Sequence, residues 1–175
     1  MKVCGFSGPS GAGKTTLMEG VIHNLKAAGQ RVSVVKHAHK GFDIDTPGKD
    51  SWRHRQAGAF EVVVASSHRL AKVREFEAEA EFTVHQLLAE LVVCDWALVE
   101  GFKHADLLRV EVLQPGKPAA YPSDPYVVAV VCDDASQLPE PTARPVFTRA
   151  DAAGLARYLQ EQAERFEYSH DFGHE

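Results

Sequence analysis

Gly8-Pro9-Ser10-Gly11-Ala12-Gly13-Lys14-Thr15 fits the pattern G-x-x-x-x-G-K-[ST] at every fixed position. The flanking sequence supplies the context the pattern needs. Lys2 to Phe6 reads as a short buried strand, and Leu17, Val21 and Leu25 repeat on one face of a helix from about Lys14 to Ala28, stopped by Gly29. The residue types follow from the chemistry of an anion. Glycines let successive backbone N–H groups turn inward without a Cβ in the way, and the helix start adds unpaired donors and partial positive charge. Gly8, Ser10, Gly11, Ala12, Gly13, Lys14, Thr15 and Thr16 are therefore the candidate phosphate-binding residues. Lys14 would reach the β- and γ-phosphates and the Thr15 hydroxyl would ligate Mg²⁺.

Outward from this loop, apolar strands alternate with helices. Val32 to Val35, Val62 to Ala65, Trp96 to Val99 and Val127 to Cys132 read as strands. Thr83, with Gln86 three residues on, opens a helix striped by Val84, Leu87, Leu88 and Leu91. A last helix starts at Thr148, with Asp151 at the third position, and repeats Leu155, Leu159 and Phe166. Strands apolar throughout and separated by helices predict a three-layer α/β domain of the P-loop NTPase type, its mostly parallel sheet covered on both faces. Arg69 to Phe76, and Arg109 to Leu113 with the alternation of an edge strand, are expected to form a small antiparallel extension. One domain should span residues 1–166, with a loose polar tail over 167–175.

Composition narrows the function. The chain of 175 residues is 45% hydrophobic and 25% charged, and Lys+Arg of 19 against Asp+Glu of 24 leave a net charge of −5. That balance argues against non-specific binding to nucleic acid or to an anionic membrane. The sequence lacks both an apolar run long enough to span a bilayer and a signal peptide, and the odd number of cysteines, Cys4, Cys94 and Cys132, points to reduced thiols. These features lead to the expectation of a cytoplasmic protein.

A phosphate loop needs an acid at the end of a neighbouring buried strand to hold the metal and its waters. Glu100 closes Trp96-Ala97-Leu98-Val99, and Asp133 closes Val127 to Cys132 as a rival. Asp45-Thr46-Pro47-Gly48 matches the D-x-x-G of GTPases but follows no buried strand, which leaves Asp45 a further metal candidate. Asn-Lys-x-Asp is absent; Asp133 and Asp134 can accept from the guanine edge or simply end a strand. Lys36, His37, Arg53 and Arg55, with their neighbours between residues 36 and 55, predict an electropositive mouth for a polyanion at the same sheet edge. His37, His39, Asp43 and Asp45 also admit a transition-metal reading, and Asp50 or Ser51 should cap a short helix ending at Gly58. These residues leave GTP and ATP at parity. They also leave open a small-molecule kinase transferring a γ-phosphoryl, with Arg53, Arg55 and Arg69 as a lid.

Taken together, GPSGAGKTT, VVKHAHKGFDIDTPGKDSWRHRQAGA and DWALVEGFK resemble the molybdopterin-guanine dinucleotide biosynthesis protein B (MobB) family, strongly over residues 2–113. The resemblance implies a homodimeric GTP-binding protein, at most a slow Mg²⁺-dependent GTPase. It implies an accessory role to the guanylyltransferase that attaches GMP to molybdopterin, with molybdopterin itself a further ligand of the dimer or of the electropositive loop. The family's phosphate loop falls on Gly8 to Thr16 and its acid on Glu100, so Lys14 and Glu100 carry whatever hydrolysis there is. Residues 114–145 match no motif, and His170 and His174 are peculiar to this chain.

Overall fold

A computed structural model describes residues 1–38 and 41–169. In chain order the elements are β1 (Lys2–Ser7), α1 (Lys14–Ala27), β2 (Val32–Lys36), α2 (Asp50–Gln56), β3 (Glu61–Ala65), β4 (Leu70–Arg74), α3 (Val84–Ala89), β5 (Trp96–Glu100), β6 (Arg109–Val112), β7 (Val127–Val131), β8 (Val146–Phe147) and α4 (Ala152–Glu161), with 3-10 turns at Ala135–Gln137 and Ala163–Phe166. The chain divides into two compact units: Met1–His37 with Thr83–Glu175, and Ala38–Phe82.

The larger unit is a six-stranded sheet in the order β2-β5-β1-β6-β7-β8, and every pairing in it is parallel. Alternation along each strand divides the core. From β1 and β5, Cys4, Phe6, Trp96 and Leu98 join the cluster built with Leu17, Val21 and Leu25 of α1 and Leu155 and Leu159 of α4. Val3, Ala97 and Val99 point the other way, onto Val84 and Leu88 of α3. Helices thus cover both faces, the arrangement expected from strands with no polar face. No helix among the described residues is long and apolar enough to cross a membrane.

Several boundaries differ from the expectations. β6 is not an antiparallel edge strand: it runs parallel between β1 and β7 with all four residues buried. Its alternation of charge misled because both charges are internally matched. Arg109 donates to the carbonyls of Lys103 and Ala105, and Glu111 accepts from the amides of Ala120 and Tyr121, each at 2.7 Å. Asp151 is not inside the last helix but its N-cap, its carboxylate accepting from Gly154 N. Residues 146–147 form a further short strand. The tail is held at its start: Glu167 bridges Lys2, and Tyr168 N donates to the Met1 carbonyl at 2.9 Å. His170 and His174 lie outside the described residues. The capping box at Thr83 and Gln86 forms as expected, with both reciprocal bonds present.

The smaller unit contains α2 and the antiparallel β3–β4 pair, the part of the expected extension that does form. α2 starts from Lys49, with neither Asp50 nor Ser51 as its cap.

Candidate functional site

β1 ends where the strand order turns back, between β5 on one side and β6 on the other, and ligands of open parallel sheets bind at such a switch point beyond the strands' carboxyl ends. The loop leaving β1 can be built only with glycine at its first position. Gly8 has φ +133°, and a Cβ there would lie 2.2 Å from the Val112 carbonyl oxygen. The loop closes on Gly13, which caps α1 in the left-handed region with no side chain bonded to the helix's first amides and no acid in its first turn. Those amides and the positive end of the helix face the loop, an electrostatic seat for a phosphate group. The Lys14 ammonium lies across the same loop, donating to the carbonyls of Gly8 at 2.9 Å and Pro9 at 2.7 Å.

Glu100 lies level with Phe6 of β1 and Lys36 of β2 in the sheet register. The Thr15 hydroxyl donates to Glu100 Oε1 at 3.2 Å, and the Lys36 ammonium is 3.3 Å from Glu100 Oε2. Because the Thr15 proton is directed to the carboxylate, the hydroxyl's lone pairs remain for a cation. Hard oxygen donors of this kind suit Mg²⁺. His37 continues the row, its amide donating to the Glu100 carbonyl at 3.0 Å and its ring stacked on Phe102. Lys14, Thr15, Glu100, Lys36 and His37 are therefore brought together by one sheet edge. Ser10 and Thr16 are exposed on the loop and the first turn of α1.

Asp133 does not face this group directly. Its carboxylate accepts from the Arg149 backbone N–H at 2.8 Å and pairs with the Arg149 guanidinium. The first of these bonds is the larger cause of its pKa lying below the usual carboxylate value, and the guanidinium adds to it. Arg149 also donates to the carbonyls of Ala12, at 2.8 Å, and Leu113. One arginine thus ties the ends of β6 and β7 to the phosphate loop. Sequence reasoning missed it because the segment from Thr148 reads as the start of a helix. The only available signal was a cation two residues beyond a short apolar pair.

Beside Arg149 opens a cavity of about 320 Å³ whose lining includes Leu113, Gln114, Lys117, Cys132 and Asp134. Gln114 Oε1 is buried and has no hydrogen-bond partner. Asp134 accepts from the Ser136 hydroxyl and amide, the leading causes of its lowered pKa.

In the smaller unit, Asp45 accepts from Ser51 Oγ at 2.8 Å and from the Thr46 amide, while the nearly buried Arg55 pairs with Asp43, Asp45 and Glu75. Arg55 is thus engaged within its own unit, and Arg53 is exposed on α2. His39 lies outside the described residues. Among those described, no group of three or more His, Cys, Asp or Glu side chains is gathered as a metal site.

Comparison with known proteins adds an independent line. The family model described as "MobB: Molybdopterin guanine dinucleotide synthesis protein B" matches residues 3–133. The chain is 36% identical over 161 residues to the "Molybdopterin-guanine dinucleotide biosynthesis adapter protein" of Escherichia coli (strain K12), covering 89% of this chain and 90% of that one. It is 37% identical over 127 residues to the Haemophilus influenzae protein of the same name, covering 72% and 71%. Among solved structures, "Crystal Structure of molybdopterin-guanine biosynthesis protein B (mobB)" superposes with a TM-score of 0.70 at 28% identity, over 91% of this chain and 99% of that one. The fold is shared as well by the "MobB protein homolog from Bacillus stearothermophilus", with a TM-score of 0.70 at 24% identity over 94% and 99%.

Proposed function

This chain belongs to the molybdopterin guanine dinucleotide synthesis protein B family and takes the adapter role in that biosynthesis which its relatives' names carry; from that premise we propose that it binds Mg²⁺-GTP at the Gly8–Thr16 loop and assists a guanylyltransferase that attaches GMP to molybdopterin. The observation that carries this reading is the Thr15 hydroxyl bonded to Glu100 beside a helix whose first amides have no side-chain cap. Lys14 and the loop amides would bind the phosphates, and Thr15 and Glu100 would hold Mg²⁺, whose part is to neutralise the charge of the β- and γ-phosphates. Asp45, with its carboxylate bonded to Ser51 and Thr46, is left out of that metal set.

The base would enter the cavity beside Arg149. Its wall offers acceptors, the buried Gln114 Oε1 and the Asp134 carboxylate, and guanine presents N1–H and N2–H₂ donors where adenine presents an acceptor. Asp133, held by Arg149, would support this wall instead of reading the base. Hydrolysis should be slow, because the cavity's own arginine is engaged by Ala12, Leu113 and Asp133 and is not available as an arginine finger.

A homodimer is the assembly we favour. The β3–β4 pair, with its neighbouring loops, exposes Phe60, Val63, Val64, Leu70 and Phe76, and a two-stranded sheet needs a further apolar surface to be stable.

Competition of GTP against ATP with Mg²⁺, repeated with Lys14→Ala, tests the reading. Wild-type protein should prefer GTP, release phosphate more slowly than about 1 s⁻¹, and lose triphosphate affinity on Lys14→Ala while remaining folded. Magnesium-independent binding, or affinity untouched by Lys14→Ala, overturns it.

A further inference from the structure

Glu100 is shared. One oxygen takes the Thr15 hydroxyl of the phosphate loop at 3.2 Å, and the other takes the Lys36 ammonium at 3.3 Å. Glu100 is 15% exposed and Lys36 60%. The acid is thus fixed among its neighbours, whereas the lysine reaches it from a flexible, solvated stem.

The backbone beyond Lys36 is tied to the neighbouring strand end. The His37 amide bonds the Glu100 carbonyl, and the His37 and Phe102 rings stack at a centroid distance of 4.6 Å. Gly101 has φ +101°, and a Cβ there would lie 2.9 Å from the Cβ of His37. Phe102 is itself in the left-handed region, at φ 49°. Such backbone persists where its surroundings over-determine it, and it is enriched at ligand clamps and switches. The backbone around Glu100 is thus tied by hydrogen bonds and stacking, and the exposed Lys36 side chain is the cation whose partner can change without moving that backbone.

We propose that Lys36 is the residue by which this protein distinguishes a nucleoside triphosphate from a nucleoside diphosphate, exchanging Glu100 for the terminal phosphate. The inference rests on the phosphate-loop reading above and goes beyond it. On the phosphate-loop reading Thr15 and Glu100 would hold the cation that neutralises the last two phosphates, and a third phosphate would lie on the Glu100 side of the loop. That is the side on which Lys36 stands. Two effects then act in one direction. A phosphate oxygen is a strong acceptor for an ammonium, and a Glu100 that also serves a divalent cation is a poorer partner for a second positive charge. With a diphosphate neither effect operates fully, and Lys36 stays on Glu100.

Calorimetric titration with guanylyl imidodiphosphate and with GDP, each with Mg²⁺, decides the matter on wild type, Lys36→Met, Lys36→Arg and Lys14→Ala. Lys36→Met keeps the length of the stem and removes its charge. It should weaken triphosphate binding by about tenfold or more, the scale of one hydrogen bond between charged groups, and change GDP affinity by less than about threefold. Lys36→Arg should keep most of the preference. Equal weakening of both nucleotides, or of neither, overturns the assignment. If Lys14→Ala leaves triphosphate affinity intact, or the wild type binds neither nucleotide, the phosphate-loop reading itself fails, and this inference with it. Far-UV circular dichroism of each variant confirms that affinities are compared between folded proteins.

Discussion

Replacing Arg149 with alanine is the most searching test of how the site is assembled. The guanidinium donates to two backbone carbonyls, Ala12 in the phosphate loop and Leu113 after β6, and pairs with Asp133 after β7. Each carbonyl bond is worth about 1 kcal/mol net. Asp133 is 55% exposed, so solvent screens that pair and its share is a few tenths of a kcal/mol at most. The total is about 2 kcal/mol. For a chain of this length 1 kcal/mol moves Tm by about 2–4 °C, so Arg149→Ala should lower Tm by about 4–8 °C. Arg149→Lys keeps the charge but loses the fork and should recover only part of that. Differential scanning calorimetry measures the shift, and a double-mutant cycle with Asp133→Asn should return a coupling below about 1 kcal/mol. Within the native state, loss of the Ala12 bond should loosen the loop, seen as faster amide exchange at residues 9–13. A Tm shift below about 1 °C with unchanged exchange would refute the brace. A coupling that accounts for the whole loss would show that the ion pair dominates, contrary to the exposure argument.

Gly8→Ala should abolish nucleotide binding and destabilise the fold, because its Cβ would sit 2.2 Å from the Val112 oxygen at a φ that alanine rarely adopts; a variant with wild-type Tm in urea or heat denaturation contradicts the close approach. Asp133 supplies a pH dependence. Its folded pKa is depressed, chiefly by the Arg149 amide, so its contribution is fully present above the ordinary carboxylate pKa of about 4 and fades as pH falls below that towards the folded value. Denaturant unfolding between pH 6 and 2.5 should therefore show a shallower acid-side loss for Asp133→Asn than for wild type, and parallel curves would remove the role given to the pair.

The sequence made the sheet's centre legible because its signals are local. Gly8 to Thr15 is a contiguous pattern, Thr83 and Gln86 are three residues apart, and the β5 strand announces itself as an apolar run ending in Glu100. What escaped depends on contacts between distant residues. Arg109 and Glu111 look like an exposed alternating strand until the carbonyls of Lys103 and Ala105 and the amides of Ala120 and Tyr121 are seen to match them. Arg149 meets Ala12 from 137 residues away, a relation no spacing rule encodes. Asp133 follows the apolar strand β7 as the sequence suggests, but nothing local shows that an arginine sixteen residues later holds its carboxylate.

Glu111 also bears on the wall to which the proposed reading assigns the base. Its buried carboxylate gathers the amides of Ala120 and Tyr121 from below, while Arg149 fastens Leu113 from the side. The segment from 113 to 121 is thus anchored at both ends, and with it the wall that carries Gln114. A base entering that cavity, as proposed above, would meet a wall already held in place by these bonds, and its binding would then depend on fit more than on the ordering of a loop.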